Sequence, residues 1–161
     1  MSVKLISLDT ATGTTGYSIF VDGIYKESGI IETNPKIKGD EKLEQMMDLI
    51  HSLLKGEQPD IVITELVVPV RNAQATRMLQ ELTGSVRGFC VEHQISYYSL
   101  RPTEWRNSIV KTIGQKPKGR KREDQKEWSL DVVNNRLGIK TESNDQSDAI
   151  LIGYGYIEMF K

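Results

Sequence analysis

Segments with helix-like and with strand-like spacing of apolar residues follow one another along the chain in an order that few folds can accommodate. Helix-like spacing of apolar residues, three or four positions apart, occupies residues 43–54 and 72–93 and is expected again beyond Pro102. Strand-like apolar runs occupy five segments, namely residues 4–8, 16–21, 24–31, 61–64 and 95–100. This order predicts an α/β protein with a mixed five-stranded sheet and helices on both faces.

Local signals indicate where several of these elements begin and end. Asp22-Gly23 separates the second and third strands and is a strong hairpin signal. Two closing helices are expected at about residues 123–137 and 144–160. Gly153 and Gly155 lower the helix propensity of the second one, because each costs about 1 kcal/mol relative to alanine.

The length of the chain favours a single domain. Its 161 residues can form a core without disulfides or structural metals, so we expect one domain over residues 1–161. Cys90 is the only cysteine, and its apolar neighbours indicate core packing rather than a nucleophile. The chain has neither a signal-peptide pattern nor an apolar run of about 18 residues, so we expect a cytoplasmic protein.

The formal net charge of −1 conceals a basic segment. Between Arg101 and Lys126 the chain has nine basic and three acidic residues, so the remainder is distinctly acidic. This separation of charge is typical of nucleic-acid-binding proteins, although a solvated loop would show the same run. Charge alone leaves both interpretations open.

Four acidic residues fall where predicted strand ends and the start of the last helix should meet. Asp9 follows the first strand and Glu65 follows the fourth, while the last helix begins with Asp145 and Asp148. In an open α/β sheet, ligand sites lie beyond the carboxyl ends of the strands. Buried carboxylates are costly unless a positive group compensates them, so the four together predict a metal site.

Each acid also has a structural interpretation. Asp9 could start a turn, and Glu65 could be satisfied by hydrogen bonds. Asp145 and Asp148 could simply stabilise the first helical turn. Glu65 is the hardest to explain in this way, because it lies between two apolar tripeptides. Since no histidine or cysteine accompanies the acids, the ligands would favour Mg²⁺ or Mn²⁺, and a pair of such ions catalyses phosphoryl displacement.

Three short motifs, in this order, resemble those of the RuvC-type Holliday junction resolvases of the RNase H-like superfamily. The motifs are Asp9 with Thr15-Gly16-Tyr17, Glu65 with Asn72-Ala73, and Asp145-x-x-Asp148-Ala149. They are similar to the family's first acid and Thr-Gly-Tyr, its second acid and long helix, and its closing pair of acids. The resemblance extends over nearly the whole chain, which is identified as a divergent, phage-like member, bacterial or phage-encoded.

The resemblance implies an RNase H-like fold and a homodimer formed through the helix of residues 72–93. It also implies binding and symmetric nicking of four-way DNA junctions, without a nucleotide cofactor or a membrane. Asp9 would bridge two Mg²⁺ ions per active site, with Mn²⁺ as a substitute, and Glu65, Asp145 and Asp148 would complete the ligands. The DNA backbone would be contacted by Lys111, Lys116, Lys118, Arg120, Lys121, Arg122 and Lys126.

Val68 departs from the family pattern. Three residues after the second acid the family usually has an aromatic residue that stacks at the junction centre, and valine cannot stack. We therefore expect a less selective nuclease that also cuts forks and three-way branches. A non-catalytic branched-DNA binder and an RNA–DNA hybrid ribonuclease remain alternatives. Trp105 and Trp128 flank the basic loop and could either pack against it or stack on a base.

Overall fold

The structure, a computed structural model, describes residues 1–161 as five strands, five α-helices and one π-helical turn. The strands are β1 (Lys4–Asp9), β2 (Thr14–Val21), β3 (Ile24–Glu32), β4 (Ile61–Glu65) and β5 (Ser96–Leu100). The helices are α1 (Gly39–Glu57), α2 (Ala73–Glu92), α3 (Pro102–Ile113), α4 (Arg122–Asp131) and α5 (Asn144–Met159). None of the helices combines the length and the apolar composition that crossing a bilayer requires.

The strands form one sheet in the order β3-β2-β1-β4-β5. β2 pairs antiparallel with β1 and β3, whereas β4 pairs parallel with β1 and β5. The predicted mixed five-stranded sheet is therefore confirmed. Because β1, β4 and β5 run in the same direction, their carboxyl ends lie at one edge of the sheet.

Helices cover both faces of the sheet, as the sequence predicts. Ile6 and Val62 pack with α1 and α2 on one face. Leu5 and Ile63 pack with α3, α4 and α5 on the other. Adjacent residues of the central strands thus enter different cores, because successive side chains of a strand point to opposite faces. Cys90 is a buried free thiol in the first core, which confirms the predicted packing role.

Glycines bring α5 close to the sheet and to α3. A Cβ on Gly153 would lie 2.7 Å from the Ser7 Oγ atom, and one on Gly155 would lie 2.8 Å from the Trp105 Cβ atom. The Ser7 hydroxyl donates to the Ala149 carbonyl of α5 at 2.6 Å. Close packing therefore offsets the low helix propensity of these glycines, and α5 continues through both of them.

The hairpin prediction is confirmed in its details. Asp22 has a φ of 52° and Gly23 has a φ of 78°, so both residues adopt the left-handed backbone that a two-residue type I′ turn requires. The turn joins β2 and β3 in antiparallel register.

The strand predicted at residues 61–64 is confirmed as β4, which ends at Glu65, where the chain leaves the sheet towards α2. Val68 is 54% exposed in this connection. The helix expected at residues 123–137 is α4 followed by the π-helical turn Val132–Arg136. This wider turn accompanies the full burial of two consecutive residues, Val132 and Val133.

Candidate active site

All four predicted acids line one cavity at the carboxyl edge of the sheet. Asp9 and Glu65 are the last residues of β1 and β4, and Asp145 and Asp148 lie in the first turns of α5. The cavity has a volume of about 630 Å³. We call it the acidic cavity. The parallel strands bring the first two acids to the same edge, and packing of α5 across β1 and β2 brings the other two.

Three contacts fix the start of α5. The Ser143 hydroxyl caps the helix by accepting from the Gln146 backbone N–H at 3.2 Å. The Gln146 side chain donates to the Ser28 hydroxyl of β3 at 2.7 Å. Gly16 of β2 leaves room for the backbone carbonyl of Asp145. These contacts tie the first helical turn, and hence both of its acids, to the sheet.

Glu65 is held by a buried indole. The Trp105 Nε1–H donates to Glu65 Oε2 at 3.1 Å. Burial raises the pKa of Glu65, while this hydrogen bond and the nearby Arg106 guanidinium oppose the rise. Trp105 therefore orients one carboxylate oxygen and favours the ionised form that a cation needs.

Asp9 and Asp148 are largely removed from water and lie close enough to other acids to be repelled by them. Burial raises the pKa of Asp9 well above its ordinary value, and the charges of Asp148, Glu65 and Asp145 raise it further. Burial also raises the pKa of Asp148, and the Ser129 hydroxyl opposes this. Without a compensating cation, the cavity thus favours a partly protonated set of acids.

The acids suit a hard divalent cation. Asp148 Oδ1 is buried and has no hydrogen-bond partner, which leaves an acceptor oxygen directed at no protein group. The set contains only carboxylates, the ligand type that Mg²⁺ and Mn²⁺ prefer. No three of the acids are arranged so that they could already hold a metal ion. Mutual repulsion opposes a closer approach of the carboxylates, and a bound cation would reduce this repulsion.

Three basic side chains line the acidic cavity as well. Arg122 and Lys126 of α4 belong to the predicted DNA-binding set, and both oppose the rise in the pKa of Asp145 that burial causes. Arg106 of α3 was not among the predicted site residues. Its guanidinium lies 4.8 Å from the centre of the Trp105 ring, and its buried Nε has no hydrogen-bond partner. The cavity can therefore hold an anion next to a cation.

The other five predicted DNA-binding residues do not line this cavity. Lys116 and Lys118 line a separate cavity of about 290 Å³ beside α4. Lys118 lies 3.6 Å from Glu127 in an exposed ion pair. The remaining three, all exposed, are Lys111, Arg120 and Lys121.

The tryptophans pack rather than stack on a ligand. Trp105 is 0% exposed and Trp128 is 3% exposed, and their rings are stacked on each other with centroids 6.5 Å apart. The Trp128 Nε1–H donates to the Gln115 carbonyl at 2.9 Å, which holds the basic loop against α4. Packing, one of the two interpretations of the sequence, is therefore confirmed.

Two amide side chains in the acidic cavity were missed by the sequence reasoning. Gln125 and Asn144 line it, and each has a buried amide oxygen without a partner. Their positions next to Lys126 and Asp145 were the available signals. Neither residue type stands out at a helix start, since Asn and Gln are common there for structural reasons.

The sequence matches curated relatives over most of its length. The crossover junction endodeoxyribonuclease RuvC of Carboxydothermus hydrogenoformans is 26% identical over 167 residues, which cover 98% of each chain. RuvC of Zymomonas mobilis is 25% identical and matches 91% of this chain and 86% of its own. No protein-family model matches the chain.

Solved structures agree with the sequence relatives. RuvC of T. thermophilus, solved in complex with a Holliday junction substrate, superposes with a TM-score of 0.74 at 14% identity, covering 98% of this chain and 94% of its own. The yeast mitochondrial Holliday junction resolvase superposes with a TM-score of 0.62 at 13% identity, covering 97% and 78%. At these identities the likeness establishes the fold.

The sheet, its covering helices and the acids at its carboxyl edge define an α/β protein with the RNase H-like fold. The sequence relatives are named as RuvC, and RuvC is also among the solved structures that share this fold. The resemblance to the RuvC-type resolvases inferred from the motifs is thus confirmed.

Proposed function

We propose that this protein, bacterial or phage-encoded, is a cytoplasmic Mg²⁺-dependent endonuclease that binds and nicks branched DNA as one domain over residues 1–161. The observation that supports it best is the convergence of Asp9, Glu65, Asp145 and Asp148 on one cavity that also contains cationic side chains. Carboxylates next to cationic groups are what a divalent ion and a phosphodiester require together. The relatives named as crossover junction endodeoxyribonucleases support the same substrate.

The four acids would hold the metal. When bound, two Mg²⁺ ions supply Lewis acidity at the scissile phosphate and activate the attacking water, and Mn²⁺ would substitute for them. Asp9 would be the central member of this ligand set, because the other three carboxylates all act on its pKa. Trp105 orients Glu65 from behind by its hydrogen bond of 3.1 Å.

The cationic side chains would hold the DNA strand. The Nε of Arg106 is buried, and its guanidinium would present fixed donors to phosphate oxygens. Arg122 and Lys126 lie on α4 and line the cavity beside Asp145. They would position the neighbouring phosphates. The basic residues outside the cavity would contact the DNA arms, where backbone contacts give affinity without sequence readout.

A homodimer would place two such sites on one junction. The face of α2 containing Gly84 and Gly88 is open, since a Cβ on either residue would meet no atom within 4 Å. Val91 is 72% exposed on the same helix. An exposed face with small and apolar residues suits a second helix, and α2 corresponds to the dimer helix that the family resemblance implies.

Junction selectivity is expected to be loose. Val68 is exposed in the connection after β4, together with Leu66 and Val70. These side chains can cover the open centre of a branched DNA by apolar contact, but none of them can stack on a base. We therefore propose cleavage of forks and three-way branches in addition to four-way junctions.

The test is nicking of synthetic four-way, three-way and fork DNAs, with and without Mg²⁺, with the cuts mapped on each strand. Paired cuts on strands of like polarity are expected for a dimer. Asp9→Asn should abolish nicking and retain binding. The matched control is Asp48→Asn, which makes the same change at an exposed residue of α1 and should leave nicking unchanged. Junction binding without nicking at any metal concentration would contradict the proposal.

A further inference from the structure

Two serine hydroxyls are buried between the sheet and α5. Ser7 of β1 and Ser18 of β2 are register partners in the sheet, and both are 0% exposed. The Ser7 hydroxyl donates to the backbone carbonyl of Ala149 in α5 at 2.6 Å. The Ser18 hydroxyl contacts that of Ser7 and lies 3.0 Å from the same carbonyl, so it can donate to either oxygen. One carbonyl of α5 is thus bound by a pair of hydroxyls from two strands.

Core packing alone does not require these hydroxyls. In an α-helix the Ala149 carbonyl already accepts the N–H four residues further on, that of Gly153. Leu5 and Phe20, the next register pair along the same strands, belong to the hydrophobic core. Alanine at residues 7 and 18 would allow the same close approach of α5 without bringing polar groups into this core, which are costly unless they are hydrogen-bonded. The hydroxyls therefore serve as a link between the sheet and one point of α5.

The serine pair lies next to the acidic end of the strands. Ser7 and Asp9 are two residues apart in β1, so their side chains point to the same face of the sheet, the one that α5 covers. Across β1 and β2, the pair that follows Ser7 and Ser18 on this face is Asp9 with Gly16. The hydroxyls thus bind α5 at the position along the sheet that directly precedes the first acid.

Two successive turns of α5 therefore rest on two successive residue pairs of the strands. The Asp145 carbonyl occupies the space that Gly16 leaves, and the Ala149 carbonyl, one turn later, meets the serine hydroxyls. One helical turn rises about 5.4 Å and two strand residues rise about 6.6 Å, so the helix and the strands match over this distance. Asp148 lies between the two carbonyls. Gly16 only permits a close approach, whereas the directional hydrogen bonds resist sliding of α5 along the strands.

We infer that Ser7 and Ser18 are positioning residues, which fix α5 along the sheet and so hold Asp145 and Asp148 at a set distance from Asp9. This inference rests on the proposed function, in which these acids bind the metal together. Sliding of the helix would change the spacing of the acids while its apolar side chains stay in the core. A displacement of about 1 Å at a reacting group can cost about 100-fold in rate.

The test is the double variant Ser7→Ala/Ser18→Ala. It removes both buried hydroxyls and leaves the Ala149 carbonyl bonded within α5, so the free energy of unfolding in EDTA should stay near that of the wild type. The Mn²⁺ affinity, measured by electron paramagnetic resonance, should fall about tenfold or more, and the nicking rate should fall with it. Each single variant should lose less, because the remaining hydroxyl still reaches the carbonyl.

Ser147→Ala is the matched control. Ser147 is also 0% exposed and directly precedes Asp148, but its hydroxyl donates to the Asn144 carbonyl within α5, at 3.0 Å. Its removal deletes a buried hydroxyl from the same helical turn without releasing the helix from the sheet. The Mn²⁺ affinity of this variant should therefore equal that of the wild type.

Hydrogen exchange separates this inference from the proposed function. Without metal, the backbone amides at residues 147–150 of α5 should exchange about ten times faster in the double variant, while those of α2 keep their wild-type rate. If wild-type protein neither binds Mn²⁺ nor nicks DNA, the proposed function fails, and the exchange still decides whether the serines fix α5. The inference is overturned if the double variant keeps the wild-type exchange rate or Mn²⁺ affinity, or if both change only in proportion to a loss of global stability.

Discussion

Gly16 of β2 packs directly against the backbone carbonyl of Asp145 in α5. A Cβ at residue 16 would overlap with this carbonyl and lie 2.9 Å from the Gln146 nitrogen. Gly16 is also the register partner of Asp9 in the pairing of β1 with β2. The glycine between Thr15 and Tyr17 therefore sets the distance between the first acid and the third.

Gly16→Ala should impair cleavage through geometry. The added methyl group must push the first turn of α5 away from β2, which moves both of its acids relative to Asp9. We expect about a 100-fold loss of nicking rate and a loss of about 1–3 kcal/mol in unfolding free energy. Nicking assays and urea unfolding measure the two effects. Gly56→Ala is the control, since a Cβ there meets nothing within 4 Å. Equal rates for Gly16→Ala and wild type would contradict this packing argument.

Asp9→Asn should stabilise the metal-free protein at neutral pH. Burial and three acids raise the pKa of Asp9 well above 3.8, so the folded form keeps its proton to a higher pH than the unfolded chain does. The stability that this proton contributes is present below pH 3.8 and is lost as the pH rises through the raised pKa. A neutral amide avoids that loss, and we expect a gain of about 1–4 kcal/mol at pH 7.

Urea unfolding of wild type and Asp9→Asn between pH 4 and pH 8, with EDTA, measures this difference, which should grow with pH. Asp48→Asn, at an exposed position, should show no such growth. Adding Mg²⁺ should raise the melting temperature of the wild type and narrow its gap to Asp9→Asn, because the cation binds only the folded form. A difference in unfolding free energy that does not change with pH would contradict the assigned burial of the Asp9 carboxylate.

Arg106→Gln should shift the pH dependence of nicking. The guanidinium opposes the rise in the pKa of Asp9, Glu65 and Asp148, so its removal should raise all three further. Protons then compete with Mg²⁺ up to a higher pH, and the acidic limb of the rate–pH profile should move upward. The maximal rate should also fall, by about 100-fold or more, because the proposed contact of Arg106 with the phosphate would be lost.

Arg122→Gln offers the comparison at the more exposed end of the cavity. Asp145 is the only one of the four acids whose pKa Arg122 affects appreciably. The acidic limb of the rate–pH profile of Arg122→Gln should therefore move less than that of Arg106→Gln. Identical profiles for the two variants would contradict the action of Arg106 on three of the acids.

Trp105→Phe should weaken metal binding in the acidic cavity while the hydrophobic core stays packed. The substitution keeps an aromatic ring against Gly155 and removes the N–H that donates to Glu65 at 3.1 Å. Loss of such a supporting hydrogen bond typically costs about 10- to 100-fold in metal affinity or activity. The Mg²⁺ dependence of the nicking rate measures it. Trp128→Phe removes a comparable N–H bond, to Gln115, and should leave the Mg²⁺ dependence unchanged.

Much of the fold and the placement of the four candidate acids are predictable because they depend on local patterns. Apolar periodicity places the strands, and the position of Asp9 and Glu65 after two apolar runs places them at one edge of a parallel pair. Arg106 is different, since only the packing of α3 against the sheet end brings it to the acids. Gln125 likewise reaches the cavity through the tertiary position of α4, which no local pattern records.

Two features of the structure could not be predicted from local patterns. The residues after Glu65 are as apolar as those before it, yet Val68 is exposed because the chain must leave the sheet to reach α2. An apolar composition indicates burial only as far as the strand or helix extends. The π-helical turn Val132–Arg136 was not expected either. A search for helical periodicity assumes 3.6 residues per turn, whereas the wider π-helical turn contains more residues and accompanies two adjacent buried positions.

The central position of α5 bears on how the protein should respond to heat. This helix begins with two of the acids and continues as a chain of buried residues from Ala149 to Gly153, packed on β1, β2 and α3. Its first turn cannot fray locally without disturbing the middle of the molecule. Thermal inactivation and global unfolding should therefore coincide, and brief heating below the melting temperature should leave nicking fully recoverable.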